Sequence, residues 1–241
     1  MNMIALELRK EKRTWIAAVL PAVGILGALY AFLNFSVRKE TLLALPLPPM
    51  DILLTQVYGM ILVLNMFGIL VAATMMYYME FHGSAMKKLY MLPIRIEGIF
   101  LSKAVILLAM LMLTLLMEFG ALAVIGLRDL PSGTFHAGIL LRFSLYSYVT
   151  TLPVLSFLLL IASRIENLYC TLGIGVLGFL SGMALANSSS LISLLHPFAL
   201  MLKPAMAMSA TPDQSVLIAG LIESFILFFV GLLFTKKRHY E

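Results

Sequence analysis

The sequence predicts an all-α integral membrane protein. Of its 241 residues, 61% are hydrophobic and 12% are charged, and the mean hydropathy is +1.01. Soluble domains carry about 45–50% apolar and about 25% charged residues. Apolar runs of about 20 residues, the length that crosses a bilayer core, occur six times along the chain. The net charge of +5 lies mainly beside these runs, which favours a role in membrane orientation over nucleic-acid binding.

The chain begins with a basic amphipathic segment and two apolar spans. Within residues 1–14, Ile4, Ala5 and Leu8 fall on one helical face, which predicts a short helix on the inner membrane surface. The first two spans are expected at residues 15–35 and 51–79. An outer loop that ends in Leu-Pro-Leu-Pro-Pro should separate them, because prolines favour extended backbone.

Four further spans are expected at residues 99–127, 139–162, 168–186 and 215–234. The segment between the last two is too apolar for a free loop, and prolines break it into short pieces. It is predicted to form either short helices that re-enter the outer leaflet or a packed cap over the bundle. The residues that define this segment are Leu194, His196, Pro197, Phe198 and Pro204.

Basic residues predict the orientation of the spans. With both termini in the cytoplasm, twelve of the 17 lysines and arginines fall on inner segments. This asymmetry favours an inside location for both ends of the chain. We expect one membrane domain over residues 1–241.

Motifs for nucleotide, metal or nucleophilic chemistry are missing from the sequence. There is no G-x-x-x-x-G-K-[ST] run, so the chain has no P-loop for ATP phosphates. The four histidines lack metal-ligand spacing. A G-x-G-x-x-G match at residues 173–178 lies inside a span, where small residues allow close helix packing. We therefore expect no catalytic, cofactor-binding or metal-binding residues and no enzyme activity in this chain.

Three charged residues are expected at membrane depth: Glu118, Arg142 and Glu223. A charge at the bilayer centre costs at least about 2.5–3.5 kcal/mol on insertion scales, so it faces a cavity or a partner. Two interpretations follow. The three residues either line a substrate path or form a structural ion pair between Arg142 and one of the glutamates.

The longest polar interruption in the first half of the chain is Glu80–Lys103. Ser84 can cap a helix that ends by Leu92, before Pro93. A short amphipathic helix of this kind is suited to dock in a groove on another protein. The alternative is a basic loop that only fixes the topology. The residues assigned to the docking helix are Ser84, Met86, Lys87, Lys88, Leu89, Tyr90 and Leu92.

The order of features in this loop resembles the loop between the second and third spans of ABC-2 type transporter permeases. The matching residues are Glu80, Gly83, Lys87, Leu89, Leu92, Pro93, Arg95 and Lys103. The resemblance implies a six-helix transmembrane domain with an N-terminal interfacial helix, a short cytoplasmic coupling helix and outer re-entrant helices between spans 5 and 6. It also implies two copies of an ATP-binding cassette subunit, which would hold ATP and magnesium, and a second, related permease.

The chain length and the stretches LYMLPI and LGIGVLGF most resemble permease subunits of lantibiotic-immunity transporters. That resemblance implies a multi-pass protein of the bacterial cell membrane that expels an antimicrobial peptide from the lipid. Two alternatives stay open: an ABC-2 exporter of a lipid, polysaccharide or drug, and a non-transporting membrane sensor subunit.

Overall fold

The computed structural model describes residues 3–82, 96–188 and 190–236. All regular secondary structure in these ranges is helical. Six of the described helices are long and apolar enough to cross a membrane, which confirms the predicted all-α membrane fold. The six spans are Ile16–Leu43, Pro49–Phe81, Glu97–Asp129, Ala137–Ala162, Leu168–Ala186 and Gln214–Thr235.

The helices follow one another along the chain with short connections. A 3₁₀ turn at Ile16–Ala18 precedes the first long helix, and a π-helical stretch at Ile52–Val57 opens the second span. The α-helices are α1 (Met3–Arg13), α2 (Val19–Leu43), α3 (Pro49–Asp51), α4 (Tyr58–Phe81), α5 (Ile96–Asp129), α6 (Ala137–Ala162), α7 (Leu168–Ala186), α8 (Leu191–Leu194), α9 (Pro197–Met206) and α10 (Gln214–Lys236).

The second, third and fourth spans form the centre of the bundle. Their most apolar stretches are 61%, 56% and 61% buried, against 28%, 22% and 17% for the first, fifth and sixth spans. Helix α2 packs on α4 and α5, α10 packs on α5 and α6, and α9 packs on α6 and α7. The three outer spans therefore present wide apolar faces away from the protein core.

Helix α1 confirms the predicted N-terminal helix, but its buried face is acidic. Glu7 and Glu11 are buried, whereas Ile4 and Leu8 are 39% and 40% exposed. The helix packs on α5. Its carboxylates thus face the protein, and its apolar side chains remain available to a bilayer surface.

The first span is longer than predicted. Helix α2 continues past the expected end at Phe35 to Leu43, so much of the expected loop is helical. Lysine and glutamate favour helix, and the helix stops just before the proline-rich stretch. The extension is also held by an ion pair of 2.9 Å between Lys39 Nζ and Asp129 Oδ1, at the end of α5.

The segment after α7 contains two short helices, α8 and α9, as the proline pattern predicts. Pro197 opens α9, and Pro204 lies inside it. Phe198 is buried against α7, where a Cβ added at Gly182 would lie 2.6 Å from its Cβ. Gly175, Gly178 and Gly182 of α7 therefore allow close helix packing, as expected, whereas a Cβ at Gly173 would meet no atom within 4 Å.

Candidate functional site

A lysine lies fully buried among three glutamates at the end of the bundle that carries α1. The Nζ atom of Lys103 is 2.8 Å from Glu7 Oε2, 3.0 Å from Glu80 Oε1 and 3.3 Å from Glu11 Oε1. It also donates a hydrogen bond of 3.0 Å to the backbone carbonyl of Met76. Every donor position of the ammonium group therefore faces an oxygen atom.

These glutamates belong to two different helices, and the lysine belongs to a third. Glu7 and Glu11 are one turn apart on α1, so both side chains lie on the same face. Glu80 lies at the end of α4, and Lys103 lies in the second turn of α5. The lysine consequently joins α1 to the two helix ends that flank residues 83–95.

A second lysine completes the group from its surface. Lys10, on α1, forms ion pairs with Glu80 and with Glu7, the latter at 3.4 Å. We refer to Glu7, Lys10, Glu11, Glu80 and Lys103 as the Lys103 cluster. With all five groups ionised the cluster carries one excess negative charge, since three carboxylates face two ammonium groups.

The excess negative charge of the cluster lies on carboxylate oxygens that are buried from solvent. Within the described residues, Glu11 Oε2 and Glu80 Oε2 are buried without a hydrogen-bond partner. Burial raises the pKa of the Glu11 carboxyl, and the attraction of Lys103 opposes this rise only in part. The Glu11 carboxyl thus holds a proton more readily than a solvated glutamate does.

Sequence reasoning found only part of this cluster. Glu80 and Lys103 were recognised as the limits of the polar loop, whereas the roles of Glu7 and Glu11 were missed. The available signal was two acidic residues spaced by four in an otherwise basic segment. Their partner, Lys103, lies in α5, which begins at Ile96. The spacing of the two glutamates alone does not identify this lysine.

A second buried carboxylate lies between α2, α4 and α5. Glu118 is fully buried, and its Oε2 accepts a hydrogen bond of 2.8 Å from the Asn65 amide. Its Oε1 points at Gly27, where an added Cβ would lie only 2.7 Å away. The glycine therefore provides the space that this carboxyl group occupies.

The other charged residues expected at membrane depth do not join Glu118. Arg142 is exposed near the start of α6, and no ion pair connects it to Glu118 or Glu223 among the described residues. Of the two interpretations of these residues, the ion pair is therefore not present in the structure. Glu118 faces the bundle centre instead, and Glu223 lies partly buried on α10.

The residues predicted for the docking helix lie outside the described residues. They are Ser84, Met86, Lys87, Lys88, Leu89, Tyr90 and Leu92. The Lys103 cluster connects the end of α4, before these residues, to the start of α5, after them.

Comparison with known families decides the class of the protein. The family model for ABC-2 family transporter proteins matches residues 3–182. The chain belongs to the ABC-2 transporter family. The match includes every residue of the Lys103 cluster, the first four spans and most of the fifth span of this ABC-2 permease. No individual curated protein matches the chain.

Proposed function

We propose that this ABC-2 permease is the membrane-spanning subunit of an ATP-driven exporter, coupled to its ATPase through residues 83–95. The observation that carries the proposal is the Lys103 cluster. It connects Glu80, before this segment, to Lys103, after it, at 3.0 Å. A segment that transmits force needs such a fixed base, because loose ends would absorb the motion.

The cluster also gives the force a route into the bundle. Helix α1 is tied to α5 through Glu7 and Glu11 and to the end of α4 through Lys10, so the three elements move together when the segment is displaced. Helices α4 and α5 then carry the displacement along two of the most buried spans. A substrate path between the spans would open or close at the far end of these helices.

The partners follow from what the chain lacks and from its family. Without a P-loop motif, this permease depends on a separate ATP-binding cassette subunit, in two copies, for ATP and magnesium. A second permease, related but not identical, completes the transporter. The outer faces of α2, α7 and α10 supply the apolar surface for that contact and for lipid.

The proposed location is the bacterial cell membrane with both termini in the cytoplasm. The distribution of basic residues supports this orientation, since twelve of 17 would lie inside. The Lys103 cluster is then at the cytoplasmic end, and α8 and α9 are at the outer end. The proposed substrate is a lantibiotic or another antimicrobial peptide, and the segment LGIGVLGF supports this choice by resemblance.

The docking surface is tested with a double substitution, Leu89→Asp with Tyr90→Ala. Truncation of a buried anchor costs about 2 kcal/mol or more at an interface hot spot, so the pair should release a co-expressed ATP-binding cassette subunit. The readouts are co-purification and substrate-stimulated ATP hydrolysis, with the membrane level of the permease as control. Lys87→Ala with Lys88→Ala should have a smaller effect, because rim charges mainly tune association rates.

The outcome of that test separates the docking segment from a purely topological loop. Normal co-purification and normal stimulation in the Leu89/Tyr90 variant would remove the proposed coupling role. Reconstitution in liposomes then distinguishes the substrates. Stimulation of ATP hydrolysis by a lantibiotic supports peptide export, stimulation by lipid, polysaccharide or drug supports the alternative exporters, and no stimulation by any of them supports a sensor subunit.

A further inference from the structure

A groove of about 640 Å³ lies between α8 and α10, on the outside of the bundle. Leu194 and Leu195 form one side, and Ile218, Ile222 and Ile226 form the other. The α10 side chains of this wall are 53–59% exposed, so the groove faces away from the protein core. Its volume is within the range of small-molecule sites, about 300–1,000 Å³.

One acidic side chain interrupts this apolar wall. Glu223 lines the groove and lies in the middle of α10, about 14 Å along the helix from Gln214 at 1.5 Å per residue. Its Oε2 atom is buried and has no hydrogen-bond partner among the described residues. The described ion pairs include no lysine or arginine for Glu223.

We propose that this groove binds a cationic amphipathic molecule, with its apolar body against α8 and α10 and its ammonium or guanidinium group paired with Glu223. A hydrocarbon chain alone would fill the walls but leave the carboxyl group without a partner. An anionic molecule would be repelled. A cation attached to an apolar body satisfies both parts of the surface.

The position of the groove would allow a ligand to enter it directly from the bilayer. Its α10 wall belongs to the least buried span, and its other wall is α8, which precedes the buried helix α9. A molecule dissolved in the lipid would reach Glu223 without crossing the bundle. The assignment of the groove as a substrate site rests on the proposed export function. Binding of a ligand to the groove does not depend on any ATPase.

Binding is measured with the full-length permease in phosphatidylcholine nanodiscs that contain no ATPase. The probe is an amphipathic peptide of leucine and lysine that carries one benzophenone, and its matched control has glutamine at every lysine position. Photo-labelling is followed against peptide concentration, and labelled residues are mapped by mass spectrometry. The lysine peptide should label α8 and α10 saturably, and the glutamine peptide should label them at least tenfold more weakly.

Three variants make the test specific for the carboxylate. Glu223→Gln keeps the shape of the side chain and should weaken labelling at least tenfold. Glu223→Asp keeps the charge and should retain most of the labelling. Ser224→Ala removes the neighbouring hydroxyl, which within the described residues donates a hydrogen bond to the Leu221 carbonyl of its own helix, and should leave labelling unchanged.

Two results would overturn the proposal. Equal labelling by both peptides, or no loss in Glu223→Gln, would show that the carboxylate does not select a cation. A benzophenone placed at Ile222 that labels a second copy of the chain, with no peptide labelling of the groove, would show an interface between copies. Normal ATPase coupling in the Leu89/Tyr90 variant would remove the proposed coupling role but leave this binding result unaffected, so the two proposals fail separately.

Discussion

The Lys103 cluster and the Glu118–Asn65 pair bury carboxylates in different ways. In the cluster, three carboxylates from α1 and α4 surround the buried ammonium group of Lys103. The ammonium group of Lys10 lies beside them at the surface. In the pair, one carboxyl group is met by a neutral amide, and no cation pairs with it among the described residues. The first arrangement ties separate elements together by charge, whereas the second fills one position in a helix packing contact.

The comparison implies that removal of one partner lowers the free energy of unfolding by different amounts at the two sites. A buried ion pair that loses one member leaves an uncompensated charge, which costs about 3–5 kcal/mol. A lost neutral donor costs about 1–3 kcal/mol. Substitutions at Lys103, Asn65 and Gly27 test this difference, in order of decreasing expected effect, and His196 should give a still smaller effect.

Lys103→Met should give the largest effect. It leaves Glu7, Glu11 and Glu80 buried with only Lys10 as a partner, and we expect about 3–5 kcal/mol of destabilisation. Denaturant or thermal unfolding of the purified protein in detergent measures the loss. Lys39→Met is the matched control, because the Lys39 side chain is 43% exposed and its pair with Asp129 is worth under about 1 kcal/mol.

A variant that removes the four buried charges of the cluster and keeps Lys10 extends the same comparison. Lys103→Met combined with Glu7→Gln, Glu11→Gln and Glu80→Gln should regain most of the stability lost in Lys103→Met, because no buried charge is left unpaired. A combined variant that is as unstable as Lys103→Met alone would show that packing of the lysine stem, not charge, dominates this region.

Asn65→Leu should have the next largest effect. It removes the 2.8 Å hydrogen bond to Glu118 and leaves the carboxyl group without a donor, at a cost of about 1–3 kcal/mol. The double variant Asn65→Leu with Glu118→Leu should recover part of this loss, since both polar groups are then absent. Unfolding curves of Asn65→Leu, Glu118→Leu and the double variant, compared with the unaltered protein, form a double-mutant cycle, and additive losses would argue against a coupled pair.

Gly27→Ala tests the space beside Glu118. The added Cβ would lie 2.7 Å from Glu118 Oε1 and 3.1 Å from Ile61 Cγ2, and overpacking of this kind costs about 1–3 kcal/mol. We expect the lower end of that range because both contacts are with side chains. At Gly120, on α5, an added Cβ meets no atom within 4 Å, so Gly120→Ala should be neutral or stabilising. Equal melting temperatures for the two variants would contradict the assigned contact.

His196 should give the smallest effect, and a pH-dependent one. Its Nδ1 accepts a hydrogen bond from the Ala199 backbone N–H, and its Nε2 lies 3.1 Å from Ser181 Oγ. Burial lowers the pKa of His196, so the neutral form is favoured in the folded protein. The corresponding stability is present above the unfolded pKa of about 6.5 and is lost as pH falls through the lower folded pKa.

The pH profile of thermal unfolding measures this effect, which should be about 1 kcal/mol or less, the size of one helix cap. His196→Asn keeps a capping acceptor and should flatten the profile. His136→Asn is the control, since the His136 side chain makes no capping hydrogen bond to α6. An unchanged profile in His196→Asn would exclude the cap as its source.

Hydropathy predicted the six spans because each needs only a contiguous apolar run. The polar contacts required information that one element does not contain. Glu7 meets Lys103 across ninety-six positions of sequence, and its partner is set by how α1 packs on α5.

A pair of Arg142 with Glu118 or Glu223 was inferred from similar depth along the helices, but depth does not fix the direction in which a side chain points. The prediction ended the first span too early because it assigned the charged stretch after Phe35 to a loop. In the structure this stretch continues the helix, where Lys39 pairs with Asp129.

We propose that the Lys103 cluster makes a rigid base for residues 83–95 and so couples ATP hydrolysis to the spans. The most direct measurement is substrate-stimulated ATP hydrolysis by the combined variant with Lys103→Met, Glu7→Gln, Glu11→Gln and Glu80→Gln, co-purified with its ATP-binding cassette subunit. The docking residues are unchanged in this variant, so the complex should still form, but stimulation should be lost because the two helix ends are no longer tied. Stimulation equal to that of the unaltered protein would contradict the claim.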